Sequence, residues 1–295
     1  MALDMMLTGK HVPAKEALSS GIIDEIAENN NTIEKLFFDS KKSSIKGKKY
    51  FKLYEEILSA YKDKNITFVE IGVLNGGSLE IWKKFFGKES RIIGIDLNPD
   101  CKRFEKDRIE IFIGNQSDPH FWKDFFSKVG NVDVILDDGG HTNLSQITTA
   151  VETVKNINNG GMLIVEDTHT SYMSEFNNPS KYSFINFSKK VIDDINFTFF
   201  KSKKFKFSLN KFIYSIQFYE SFVVFKVDRE LCLNNKMIEN RGEKFSHWDM
   251  REKGDEVNIA FLKKMFAFFN IKKVKKFTKY YKSKVNVNNI KKYFE

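Results

Sequence analysis

Apolar residues follow two rhythms between residues 68 and 96. Phe68-Val69-Glu70-Ile71 and Ile92-Ile93-Gly94-Ile95-Asp96 are short, nearly continuous apolar runs, whereas Leu79, Trp82, Phe85 and Phe86 between them recur at helical spacing. The first pattern predicts buried strands and the second an amphipathic helix, so the stretch reads as strand, glycine turn, helix, strand. Further apolar runs at residues 109–113, 132–136 and 162–165 predict three more buried strands, with a helix over residues 144–157 before the last. Phe51, Tyr54, Ile57, Leu58 and Tyr61 predict a helix ahead of the first strand, and residues 184–195 another. Two β-rich runs, residues 212–219 and 221–227, follow and predict a closing strand pair. Strands alternating with helices indicate a doubly wound α/β sheet.

The totals limit the alternatives. A chain of 295 residues can bury a sizeable core, and Cys101 and Cys232 alone exclude a disulfide framework or a cysteine metal centre. No run of eighteen apolar residues appears, and the N-terminus lacks a basic segment followed by an apolar one, which makes the cytoplasm the simplest location. The net charge of +9 is concentrated in residues 261–295, which hold eleven Lys and one Glu, so the preceding chain is close to neutral. No nucleic-acid partner is expected, because the charge lies outside the predicted site.

The chemistry gathers at the predicted C-terminal ends of the strands, where α/β proteins bind ligands. Gly72, Gly76 and Gly77, followed by Ser78, form a turn in which a backbone can approach a ligand closely. Glu70, just before that turn, repels a pyrophosphate but suits a cationic ligand, and Asp96 stands where an acid accepts hydrogen bonds from ribose hydroxyls. The fourth strand ends in Asp137-Asp138-Gly139-Gly140-His141 and the fifth in Glu166-Asp167. Adjacent parallel strands bring Asp137, Asp138, Glu166 and Asp167 to one edge of one cleft, where a hard divalent cation, Mg2+ first and Mn2+ or Ca2+ after it, would offset their repulsion. His141 is the candidate proton acceptor; its alternative is a helix-capping role.

The turn Glu70-x-Gly72-x-x-x-Gly76-Gly77-Ser78 resembles motif I of class I S-adenosylmethionine-dependent methyltransferases. With Asp-Asp-Gly-x-His at residues 137–141 and Val-Glu-Asp-x-x-Thr-Ser-Tyr at residues 165–172, residues 39–227 resemble the sugar O-methyltransferases of macrolide biosynthesis and, more distantly, cephalosporin hydroxylase-like proteins. The resemblance implies a seven-stranded Rossmann-like methyltransferase sheet over residues 31–228. S-adenosylmethionine would be bound by Glu70, Gly72, Gly76, Gly77, Ser78, Asp96, Gln116, Asp118 and Asp137. It further implies a divalent metal on Asp138, Glu166 and Asp167, with His141 as general base. The expected reaction is methyl transfer to a hydroxyl of a sugar or glycosylated small molecule. Alternatives are methylation of a non-sugar diol such as a catechol, or a catalytically inactive cofactor-binding or hydroxylase-associated component. The resemblance also inclines toward a homo-oligomer. Residues 1–27 resemble a crotonase fragment without that family's catalytic residues, which makes residues 1–30 a helical appendage, and residues 229–295 read as a polar, then Lys-rich, helical extension.

Overall fold

The parallel strands form where the chain is apolar on both alternating faces, because helices cover the sheet on each side. The computed structural model describes residues 32–176, 181–197 and 205–233, together with residues 238, 240 and 242. Five parallel strands, β1 (Thr67–Ile71), β2 (Arg91–Asp96), β3 (Ile109–Ile113), β4 (Val132–Asp137) and β5 (Ile157–Val165), are completed by β6 (Ile213–Tyr219) and β7 (Phe222–Val227). The order across the seven-stranded sheet is β3-β2-β1-β4-β5-β7-β6. β7 pairs antiparallel with both β5 and β6, so it alone runs against the others.

The helices are α1 (Ile33–Phe38), α2 (Tyr50–Leu58), α3 (Gly77–Phe85), α4 (Pro119–Val129), α5 (Asn143–Thr153) and α6 (Phe184–Ile195). Residues of α1, α2 and α3 share one buried cluster with Phe68, Ile92 and Leu136, whereas Trp122, Phe125, Ala150 and Val191 of α4, α5 and α6 share another with Val69, Ile93 and Ile135. Neighbouring strand residues thus point into opposite layers, as the pleat requires. Caps fix several helix starts: Asp118 before Pro119 for α4, Thr142 for α5 and Ser183 for α6 each accept a first-turn amide.

The fifth strand differs from the sequence expectation. The helix predicted through residue 157 ends at Thr153, a single 3-10 turn follows, and the strand already begins at Ile157. Gly160 and Gly161, which read as punctuation, lie inside β5 where its register with β4 shifts, and Gly160 takes φ +80°. A Cβ on Gly161 would lie 2.2 Å from Asp133 O, so the bulge depends on that glycine.

No helix among the described residues is long and apolar enough to cross a membrane. The chain divides into a unit ending at Asn234 and a second, Asn235–Glu295. Residues 1–31 and 243–295, which hold the crotonase-like segment and the Lys-rich stretch expected to be helical, lie outside the described residues.

Candidate functional site

The chain leaves β1 for β2 on one side of the sheet and β4 for β5 on the other, so the C-terminal ends of β1 and β4 border a topological switch point. A cleft of about 710 Å³ opens there, of the size that holds a cofactor. Asp138 N donates to Ile71 O at 3.0 Å, drawing the ends of β1 and β4 together. Gly72 makes this approach feasible: its φ is +94°, and a Cβ on it would lie 2.1 Å from Asp138 O.

Asp96 closes one end of the cleft. Its Oδ2 accepts from Val73 N at 2.8 Å and Leu74 N at 3.1 Å, and its Oδ1 accepts from Asn98 N at 2.8 Å. Burial works to raise its pKa, but these three amides, with the Cys101 thiol, outweigh burial and hold it below the usual carboxylate value. The cleft lining carries three carboxylates, Asp96, Asp138 and Asp167, against one guanidinium, Arg103. Ile45, Leu74 and Leu97 add exposed apolar side chains at the same wall.

The other end gathers the groups beyond β4 and β5. His141 Nε2 lies 3.8 Å from Asp138 Oδ1 and 3.7 Å from Asp167 Oδ2, and one donor atom from each of the three residues falls within 4.8 Å of the others. Two carboxylates and an imidazole at that spacing fit a divalent cation. His141 and Asp167 both hold left-handed backbone, with φ of +52° and +55°. Non-glycine residues take that conformation at a cost that the surroundings must offset. Thr170 helps: its Oγ1 lies 2.8 Å from His141 O and 2.9 Å from Asp167 O, tying the two strained loops together. Tyr50 OH donates to Asp167 Oδ1 at 2.6 Å.

Glu166, expected beside Asp138 and Asp167 on the metal, is engaged by Lys46 and Tyr54. It is 2% exposed, and its Oε2 accepts from Lys46 Nζ at 3.0 Å and from Tyr54 OH. The Lys46 ammonium also touches Asp138 Oδ2. Burial opposes a charge on Lys46, but Glu166, Tyr54, Asp138 and Glu70 outweigh it and hold its pKa well above the ordinary value. Lys46 therefore keeps its proton. Burial also pushes Glu166 up, to about 8, so the ammonium is held by Asp138 and Glu166 together rather than by Glu166 alone.

Of the residues expected at the cofactor, Gly72, Asp96 and Gln116 reach the cleft wall. Glu70 does not: fully buried, it accepts from Ser78 Oγ at 2.6 Å and Trp82 Nε1 at 3.0 Å. The acid that read as a partner for a cationic ligand therefore anchors the first turns of α3, with Ser78 spent on the same contact. Burial lifts its pKa to about 7. Gly76 faces the Phe104 ring and Gly77 the carbonyl of Ser43, so both serve close packing of protein on protein. Asp118 caps α4 through His120 N at 2.9 Å. Asp137 is 1% exposed and accepts from Gln116 Nε2 at 2.9 and 3.1 Å, while Gln116 Oε1 accepts from Gly140 N at 2.8 Å. Together they brace the loop that presents Asp138 and His141. His169 borders the cluster, its Nδ1 3.8 Å from Asp167 Oδ1, and lines a second cavity with Tyr172 and Phe218.

Sequence reasoning passed over Lys46, Leu74, Asn98, Arg103 and Ser145, all at these two sites. Lys46 sits in a lysine-rich stretch without a motif, and only the fold shows which lysine turns inward.

No family model matches the chain. In sequence it is 29% identical over 164 residues to 8-demethyl-8-alpha-L-rhamnosyl tetracenomycin-C 2'-O-methyltransferase of Streptomyces olivaceus, covering 52% of this chain and 43% of that protein. It is 30% identical over 130 residues to mycinamicin VI 2''-O-methyltransferase of Micromonospora griseorubida, covering 42% of this chain and 32% of the relative. The chain thus spans less than half the length of the curated relatives it matches. Among solved structures, a methyltransferase of the mycinamycin biosynthetic pathway, crystallised with Mg and SAH, aligns with a TM-score of 0.59 at 22% identity, over 73% of this chain and 58% of the other. The same methyltransferase with Mg, SAH and mycinamycin VI aligns equally well, at 21% identity over 77% of this chain and 61% of the other. The chain has the class I methyltransferase fold and resembles, over about half its length, the sugar O-methyltransferases of antibiotic biosynthesis.

Proposed function

We propose that this protein binds S-adenosylmethionine in the cleft at the switch point and transfers its methyl group to a hydroxyl of a sugar or glycosylated small molecule, with a divalent cation at the Asp138 edge. The observation that carries this reading is the joining in one cavity of a ribose-competent carboxylate, Asp96, with the cluster of Asp138, His141 and Asp167. The acidic lining favours a cationic cofactor, and Ile45, Leu74 and Leu97 offer apolar surface to a purine. A sugar as acceptor rests on the names of the relatives, which act on rhamnosyl, olivosyl and mycinamicin substrates.

S-adenosylmethionine supplies an electrophilic methyl group, and a divalent cation supplies charge that makes a nearby hydroxyl more acidic. The chain's own part is to position and to move a proton. Asp96 would accept from the ribose hydroxyls, with its carboxylate oriented by the Val73, Leu74 and Asn98 amides. Asp138 and Asp167 would hold the cation and thereby orient the acceptor. His141 would take the hydroxyl proton at Nε2 as the methyl group passes from sulfur to the acceptor oxygen. The products are a methyl ether, S-adenosylhomocysteine and a protonated His141. Juxtaposing cofactor and acceptor accounts for much of the remaining acceleration.

The test is methyl transfer from labelled S-adenosylmethionine to a panel of rhamnosylated and other deoxysugar glycosides. Label is expected on a sugar hydroxyl, with EDTA lowering the rate by roughly 100-fold or more and Mg2+ restoring it. Transfer that resists chelation would remove the cation from the reaction, and transfer only to catechols would replace the sugar.

A further inference from the structure

We propose that Lys46 is a tethered cation that occupies part of the divalent ion's seat, so that metal binding expels it and releases the segment ahead of α2; this rests on the metal reading above. Four observations carry it. The Lys46 ammonium contacts Asp138 Oδ2 and lies 3.0 Å from Glu166 Oε2, and its side chain is only 5% exposed. It thus divides the acidic cluster: Asp138 turns Oδ2 to the lysine and Oδ1 toward His141, and Glu166 is withdrawn altogether. Residues 41–46 have neither helix nor strand, and Ile45 beside the lysine is 82% exposed. Finally, the segment is pinned ahead of the lysine, with Ser43 O against Gly77 and Lys42 3.8 Å from Glu80 and over the Phe104 ring, so the part that metal entry would release is the stretch from residue 44 to residue 46.

The electrostatics exclude joint occupancy. A divalent ion on Asp138 and an ammonium on the same carboxylate would be like charges within a few ångströms, in a site where burial weakens screening. The doubly charged ion, which can contact several carboxylate oxygens at once, is the stronger competitor. Its entry would also settle a conflict within the cluster. While Lys46 is in place, Glu166 is taken and His141 must serve as the third donor. Once Lys46 leaves, Glu166 can join Asp138 and Asp167, and His141 is free to accept a proton. The lysine therefore keeps the carboxylates neutralised in the metal-free protein and makes metal loading a conformational event.

The experiment acetylates lysines of the full chain with a water-soluble active ester, with and without MgCl2, and reads each site by mass spectrometry. Without metal, Lys46 should react far more slowly than Lys49, whose side chain is 80% exposed. With saturating Mg2+, Lys46 reactivity should rise by ~10-fold or more while Lys49 stays constant. Calorimetric titration of Mg2+ should show tighter binding to Lys46→Met than to the wild type, and no such gain for Lys49→Met. Lys46 labelling that is unchanged or lowered by a bound metal overturns the proposal and leaves the metal site standing. Absence of Mg2+ binding in both the wild type and Lys46→Met overturns the metal site and the proposal together.

Discussion

Replacing Asp138 with Asn is expected to lower methyl transfer by at least ~10³-fold while changing S-adenosylhomocysteine affinity by no more than about threefold, a loss near 4 kcal/mol of transition-state stabilisation. Asp138 is the residue on which the site converges: one oxygen meets the Lys46 ammonium and the other faces His141. Asn keeps the shape but removes the charge that would attract a divalent ion and favour a protonated His141. The cofactor end is spared, because Asp96 and its amides are built on β2 and the turn after β1. Steady-state rates over a Mg2+ series, beside a calorimetric titration of S-adenosylhomocysteine, separate the two effects. A variant retaining a tenth of wild-type activity would contradict the role.

Gly72→Ala should be the most damaging small substitution in the described fold. At φ +94° an alanine is strained, and its Cβ would lie 2.1 Å from Asp138 O. Both clashing partners are backbone, so relief requires parting the ends of β1 and β4. Left-handed strain of about 1–2 kcal/mol plus overpacking of about 1–3 kcal/mol gives a loss near 3 kcal/mol. Gly160→Ala is the matched comparison, because its φ is +80° but nothing lies within 4 Å of the added atom. Only the dihedral strain, about 1–2 kcal/mol, applies there. Urea midpoints of the two variants measure the difference, and equal midpoints would show that the β1–β4 approach can relax.

The sheet was legible because its parallel strands are buried on both faces, which leaves continuous apolar runs such as Val134-Ile135-Leu136 and Met162-Leu163-Ile164-Val165 in the chain. The meeting of Asp138 and Asp167 was legible for a related reason: β4 and β5 are parallel neighbours, so residues just past their ends share an edge. Side-chain direction was not. Glu70 lies one residue before a strand end, yet its carboxylate turns into the sheet–helix layer, where Ser78 and Trp82 reach it from successive turns of α3. Glu166 is drawn inward in the same way by Tyr54 and Lys46. Lys46 is 92 residues from Asp138, and nothing local to either residue links them. Left-handed backbone at Leu74, His141 and Asp167 was equally hidden, because none of the three is a glycine. These features fall at the site itself, where local preference is overridden to present polar groups to a ligand.

A calorimetric titration of S-adenosylhomocysteine into the wild type and Asp96→Asn decides whether the cleft between Asp96 and Asp138 holds the cofactor. One-to-one saturable binding to the wild type is predicted, weakened by ~10-fold or more in the variant, in line with losing hydrogen bonds to a charged acceptor. No heat with the wild type, or equal affinity for both proteins, would contradict a cofactor site there.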